Sequence, residues 1–318
     1  MDRIDPDIAR FVDQMRQDWK QFPPFESLSF PEQRVAAEKV RARWTVGGPV
    51  MARILERSFD PGAGELRVRV YRPTNDDTPL PAMIYIHGGG FTLFSIDTHD
   101  RLMREYASRG GFVVIGVDYP LSPEAKYPTA LNRIEGLMLW LRDNAGRWGV
   151  DPDRLAMGGD SAGGNLSFAT FLRLRDRGEA GLVKAILSNY GGFSATISDE
   201  AEARFGGPGS ILHREEARGY WANYLRGPED EEDPQACPLL ADVGGFPPCF
   251  LAVPELDLVA EHSLEMHERL KQAGVEVECV IYPGALHSFL EAMSISALAR
   301  RAIADGAAFI ARRIGGPA

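Results

Sequence analysis

The sequence predicts an α/β protein: a mostly parallel, twisted sheet of eight strands with helices on both faces and a helical cap. Short apolar runs alternate with longer stretches of helical periodicity, which implies strands joined by crossover helices. At 318 residues with 44% hydrophobic content, the chain is long and apolar enough for one large α/β core. A serine in a glycine-rich turn also separates an apolar run from a helical one, the strand-to-helix junction typical of such sheets.

In chain order, residues 1–50 read as helical. Ile8, Phe11, Val12 and Met15 fall at helical spacing, Pro23-Pro24 breaks the run, and Pro31 to Trp44 resumes it. This segment suits a packing arm or, since it precedes the first strand, a lid over a site. Ala52 to Ser58 and Glu65 to Tyr71 form a hairpin through Asp60-Pro61-Gly62-Ala63-Gly64. Ala82 to Ile86 is a buried strand that runs into His87-Gly88-Gly89-Gly90-Phe91, where consecutive glycines leave backbone N–H groups free to turn towards a ligand. A helix from Thr98 to Ser108, a strand from Phe112 to Val117 and a helix from Pro128 to Asn144 follow, then the strand Arg154 to Met157 and the helix Asn165 to Arg177. After the strand Val183 to Asn189 the chain changes character. Residues 195–245 carry the glycine-rich Phe205-Gly206-Gly207-Pro208-Gly209, a helix with Tyr220, Trp221 and Tyr224, and an acidic run from Glu229 to Asp233. They are read as an insertion forming lid material, the acidic run being a solvated loop without the alternating ligands of a calcium site. Pro248 to Val253 and Val275 to Tyr282 are the last strands, and Ala297 to Arg313 the closing helix.

Composition excludes several classes. A net charge of -10 argues against nucleic acid or an anionic membrane surface as the partner. No run approaches the roughly 20 apolar residues of a membrane span, and the first residues, rich in acid and with an early proline, do not read as a signal peptide. A cytoplasmic location is therefore expected. Cys237, Cys249 and Cys279, odd in number and widely spaced, are expected to be buried free thiols.

The chemistry centres on Gly159-Asp160-Ser161-Ala162-Gly163, which matches G-x-S-x-G. A serine hydroxyl is a weak nucleophile at neutral pH; it needs a base within reach and a carboxylate to fix that base's tautomer. After a turn of this kind the acid and then the histidine follow in chain order. His287, in the loop after the last strand, is the base. His262 and His267 lie in a charged helix without zinc spacing, and His213 lies in the lid region. Asp257, just after a strand, is the acid in preference to Glu255 and Glu261.

With these residues in view, the chain resembles the hormone-sensitive-lipase-like group of α/β-hydrolases, and within it the bacterial acetyl esterase branch. The resemblance rests on His87-Gly88-Gly89-Gly90-Phe91, Gly159-Asp160-Ser161-Ala162-Gly163-Gly164, Glu255-Leu256-Asp257 and Tyr282-Pro283-Gly284-Ala285-Leu286-His287-Ser288-Phe289. Asp118 to Glu124 is similar to a further family segment, with Pro120 where many members carry arginine. Leu258-Val259-Ala260 stands where members often have Pro-Leu-Arg-Asp. The resemblance implies an α/β-hydrolase fold with residues 51–318 as the catalytic domain, residues 1–50 as a cap segment and a cap insertion at about 195–245. It implies Ser161 as nucleophile, Asp257 as acid and His287 as base, with Gly88, Gly89 and Ala162 donating N–H groups to the oxyanion.

The expected reaction is hydrolysis of a short-chain, acetyl-like carboxylic ester through an acyl-enzyme, with a small-molecule ester as substrate, no nucleic-acid or membrane partner, and no metal or organic cofactor required. Phe91, Phe94, Tyr190, Trp221, Leu286 and Phe289 are candidate pocket walls. An amidase would use the same triad. A non-catalytic small-molecule receptor on this fold should lack a triad member, and all three are present. A monomer or homodimer is expected.

Overall fold

The structure, a computed structural model, describes residues 3–207 and 210–315. Pro208 and Gly209 of the glycine-rich stretch lie outside the described residues, as do Met1 and Asp2. The strands are β1 (Arg53–Phe59), β2 (Leu66–Arg72), β3 (Leu80–Ile86), β4 (Val113–Asp118), β5 (Val150–Asp160), β6 (Val183–Asn189), β7 (Cys249–Leu256) and β8 (Val277–Leu286). They form one eight-stranded sheet in the order β1-β2-β4-β3-β5-β6-β7-β8. β1 with β2 and β2 with β4 pair antiparallel; from β4 to β8 all pairs are parallel. This is the α/β-hydrolase architecture, as expected.

Strand ends depart from the apolar runs because hydrogen bonding, not hydropathy, sets them. β5 extends to Asp160 since Gly158 and Gly159, poor strand formers, pair with Tyr85 and Ile86 on one side and with Leu187 and Ser188 on the other. The central strand β4 is buried from Val113 to Val117, whereas β1, at the sheet edge, carries exposed Arg53, Glu56 and Arg57 that keep it from pairing further.

Two layers of helix cover the sheet. On one face α4 (Thr129–Asn144), α5 (Ala162–Asp176) and α8 (Ala260–Gln272) bury Leu131, Ile134, Leu166, Met266 and Leu270. On the other, α3 (Asp100–Gly110) and α9 (Ala297–Ile314) pack Leu102, Tyr106, Ile303 and Phe309, and they are joined by α1 (Pro6–Trp19) and α2 (Phe30–Thr45) through Ile8, Phe11, Val40 and Trp44. α6 (Asp199–Phe205) and α7 (Arg214–Tyr224) lie between β6 and β7 in the chain. The acidic run folds as a one-turn helix, Pro228–Glu232, whose buried Asp230 pairs with Arg226.

All three cysteines are free; Cys237 and Cys249 are buried and Cys279 half-buried. Among the described residues, no helix is long and apolar enough to cross a membrane.

The chain leaves β3 for β4 on one side and returns to β5 on the other, so crossovers diverge between β3 and β5. The C-terminal ends of two such strands open a crevice where ligands bind in open α/β sheets. The glycine run leaves β3 at this point, and Ser161 leaves β5.

Candidate active site

Ser161 connects β5 to α5 with no intervening loop, and its backbone sits at φ 51°, ψ -115°. That turn requires small neighbours: a Cβ on Gly159 would lie 2.2 Å from the Ile86 carbonyl oxygen, and one on Gly163 only 1.9 Å from the same atom. The glycines of the pentapeptide are thus explained by one carbonyl of β3 wedged against the turn. α5 starts at Ala162, three residues earlier than its helical periodicity suggests, which leaves the N–H groups of its first turn, beginning with Ala162, without intrahelical acceptors.

His287 comes from the end of β8, where Ser288 at φ 59° turns the chain away from the strand. Its Nε2 is 2.9 Å from Ser161 Oγ, and its Nδ1 is 2.8 Å from Asp257 Oδ2. A carboxylate only accepts, so Nδ1 carries the proton and Nε2 accepts from the serine hydroxyl. Asp257, fully buried just beyond β7, also accepts from Val259 N at 3.1 Å through Oδ1. Burial opposes a charge on His287, but the Asp257 carboxylate and its hydrogen bond outweigh it, and the imidazole pKa is raised above its ordinary value.

The structure corrects one of the three expected oxyanion donors. Gly88 N–H donates to Asp160 Oδ1 at 3.1 Å and is buried away from the cavity. The carboxylate of the residue before Ser161 occupies that amide. The two following glycines, Gly89 at φ 119° and Gly90 at φ 58°, line the cavity beside Ser161 and Ala162. Neither has room for a side chain: a Cβ on Gly89 would meet the Leu93 carbonyl oxygen at 2.2 Å, and one on Gly90 the Tyr220 ring at 2.3 Å. Ala162, first residue of α5, has no intrahelical acceptor for its N–H.

Ser161 and His287 open into a cavity of about 860 Å³. Of the expected walls, Phe91, Phe94 and Trp221 line it, Phe91 stacking on Tyr224 at 3.9 Å. Tyr190, Leu286 and Phe289 do not; all three turn into the core beneath the site. Tyr190 packs edge-on against the His287 ring at 5.0 Å, and Phe289 packs against Tyr282 and Tyr190. The walls that local motifs did not reveal come from α1 (Val12, Met15, Trp19), from Phe25, from α2 (Phe30, Val40) and from Ile211, Leu212 and Tyr220. The helical spacing of Val12 and Met15 was the signal available. His262 sits in α8 but faces inward, its Nε2 2.8 Å from the Thr196 carbonyl oxygen.

Among the described residues, one buried set of metal-type donors occurs: His99, Asp160 and Glu291, with ligand atoms within 4.8 Å of one another. The Arg41 guanidinium lies 3.0 Å from Glu291 and already supplies the cation these carboxylates need, so the set does not fit a metal ion.

Comparison with known proteins agrees with this architecture. The family model described as alpha/beta hydrolase fold matches residues 83–291. An acetyl esterase of Salmonella paratyphi A is 37% identical over 257 residues, 80% of this chain and 78% of that protein, and one from Salmonella typhi matches to the same extent. Among solved structures, a hyperthermophilic esterase from the archaeon Pyrobaculum calidifontis is 32% identical, with a TM-score of 0.90 over 98% of both chains. The ester-hydrolase EH1AB1 from the Lake Arreo metagenome, complexed with a bipyridine phosphonate derivative, is 30% identical, with a TM-score of 0.91 over 98% of this chain and 100% of that one. The chain belongs to the α/β-hydrolase fold family, in its hormone-sensitive-lipase-like group and the bacterial acetyl esterase branch of it. It is a carboxylic ester hydrolase.

Proposed function

We propose that this enzyme hydrolyses short-chain, acetyl-like esters through an acyl-enzyme formed on Ser161. The continuous hydrogen-bonded row Ser161 Oγ, His287, Asp257, at 2.9 and 2.8 Å, carries the reading. His287 Nε2 takes the hydroxyl proton as Oγ attacks the ester carbonyl carbon. The tetrahedral oxyanion is held by the N–H groups of Gly89, Gly90 and Ala162, and each such donor can be worth roughly 2.7 to 4 kcal/mol. Collapse breaks the bond to the alcohol, which leaves with the proton from His287. Water, deprotonated by the same imidazole, then attacks the acyl-enzyme and releases the carboxylic acid.

Residues 1–50 and the 195–245 insertion serve as the cap. α1, α2 and α7 supply much of the cavity wall, which supports this division. The acetyl preference rests on the acetyl esterase relatives. The free thiols suit a reducing compartment, in keeping with a cytoplasmic enzyme.

A series of p-nitrophenyl esters from acetate to dodecanoate, with organophosphonate labelling alongside, tests the proposal. The expected result is highest kcat/KM at the short end and covalent labelling of wild type but not of Ser161→Ala. A maximum at long chains would overturn the short-chain reading. Equal labelling of Ser161→Ala would overturn the acyl-enzyme.

A further inference from the structure

Behind the nucleophile lies a buried charge cluster that the acyl-transfer steps do not use. Asp160 turns its side chain away from the cavity: Oδ1 accepts from Gly88 N at 3.1 Å and from Tyr85 OH at 2.9 Å, and Oδ2 lies 3.3 Å from His99 Nε2. The same His99 nitrogen is 3.3 Å from Glu291, whose other oxygen is 3.0 Å from Arg41 Nη1. All four side chains are at most 5% exposed. Burial opposes a charge on His99, but Asp160 and Glu291 outweigh it and raise its pKa. The two buried carboxylates thus lie against one guanidinium and one imidazole, the pairing that so buried a group requires.

The four residues come from four places. Asp160 ends β5 beside Ser161, His99 precedes α3, Glu291 lies in the short helix Phe289–Ser294 four residues beyond His287, and Arg41 lies on α2. Only Arg41 belongs to the N-terminal segment. Its guanidinium also covers the Phe94 ring at 4.6 Å, and Phe94, at φ 70°, lines the cavity just beyond the glycine run.

We propose that Arg41 is a positioning residue that couples the seating of α2 to the geometry of the glycine loop and the base loop, an inference that rests on the acyl-transfer reading above. Asp160 fixes the Gly88 amide and with it the direction of the next two peptides, Gly89 and Gly90. Without Arg41, Glu291 loses its cation and draws His99 towards itself. Asp160 loses its partner, and the Gly88 amide is held by a looser carboxylate. The segment carrying Glu291 also leads back to His287, so both sides of the reacting serine relax together.

The test uses the full-length enzyme and the variants Arg41→Met, Arg41→Lys and Arg41→Met/Glu291→Gln, with p-nitrophenyl acetate as substrate. A trifluoromethyl ketone, which forms a tetrahedral adduct on Ser161, reports on the oxyanion geometry. Misplacing reacting groups lowers rate more than binding, so Arg41→Met should lower kcat roughly tenfold to a hundredfold and leave KM within about twofold. Ketone affinity should fall in parallel, and Arg41→Lys should recover part of both. The double variant leaves no orphaned carboxylate to draw His99 from Asp160, so it should recover most of the wild-type kcat and ketone affinity, and it decides the matter even if Arg41→Met folds poorly. Wild-type kcat in Arg41→Met, or a kcat in the double variant as low as that expected of Arg41→Met, overturns the inference. Failure of wild type to label with a phosphonate would instead overturn the acyl-transfer reading, so the two failures are distinct.

Discussion

In the proposed reaction His287 must carry a proton during turnover and be free of it beforehand, and its surroundings set the pH at which it can do so. Burial works against the imidazolium, while the Asp257 carboxylate 2.8 Å away favours it and wins, so the pKa is raised. A base has to start neutral. Activity is therefore present above the raised pKa and lost as pH falls through it, which puts the acidic limb of kcat/KM above the reference histidine value of about 6.5. Asp257→Asn should move that limb downward and lower kcat by about 10⁴, because an amide no longer selects the Nδ1–H tautomer. A pH–rate profile of both enzymes checks this, and a wild-type limb below the reference value would contradict the assigned base. That Ser161, His287 and Asp257 lie together was legible in the sequence because each lies just past a strand end in a local motif, and the structure joins them by hydrogen bonds. Gly88 was misread as an oxyanion donor because the direction of the Asp160 side chain depends on Tyr85 and His99, both distant in sequence. Tyr190, Leu286 and Phe289 were misread for a similar reason: nearness to His287 in the chain or in space does not say which way a side chain points, and all three point into the core.

Elements were legible wherever a single periodicity held. β6 spans Val183–Asn189, and the hairpin of β1 and β2 forms around its expected turn. Cavity walls from α1 and α2 were less so, because the contact joins residues near the start of the chain to loops that follow β3, β6 and β8. α1 shows how such an arm is anchored. Asp5 caps it, its Oδ1 accepting from Asp7 N at 3.0 Å and Ile8 N at 3.1 Å with Pro6 as the first helical residue. The Asp5 amide also donates to the Gly284 carbonyl at 2.9 Å, tying the helix start to the strand that leads to His287. Asp5→Ala keeps the backbone tie and removes the cap, so it should cost about 1 kcal/mol of stability. In a chain of this size that corresponds to a fall in Tm of about 2 °C. Asp5→Asn should retain most of the wild-type value. Calorimetry on both variants checks this, and an unchanged Tm in Asp5→Ala would show that α1 does not depend on its cap.

For the molecule as a whole, stability between pH 5 and 8 depends on histidines held in opposite states. His99 and His287 have raised pKa values: burial opposes their charge, but Asp160 and Glu291 around the first and Asp257 beside the second outweigh it. Their contribution is complete below the unfolded value of about 6.5 and is lost as pH rises through the folded values. His87 and His262 behave the other way. His87 is fully buried, with Nδ1–H donating to the Gly88 carbonyl at 2.7 Å and its ring stacked on Tyr119 at 4.4 Å; burial, and then the charge on His99, push its pKa down to about 3. Burial lowers His262 as well. As pH falls below about 6.5 the unfolded chain takes up protons that these two refuse in the native state. Each contributes a loss of about 1.4 kcal/mol per pH unit until its folded pKa is reached. Stability should therefore peak near pH 6.5 and fall on both sides, a shape that net charge alone does not produce. Chemical denaturation at half-unit steps from pH 5 to 8 would trace it. His87→Asn, which removes the group most reluctant to charge, should flatten the acidic side and leave the alkaline side as it is. A steady rise in wild-type stability from pH 5 to 8 would mean that the buried His87 and the ion-paired His99 do not hold the opposite charge states that their surroundings dictate.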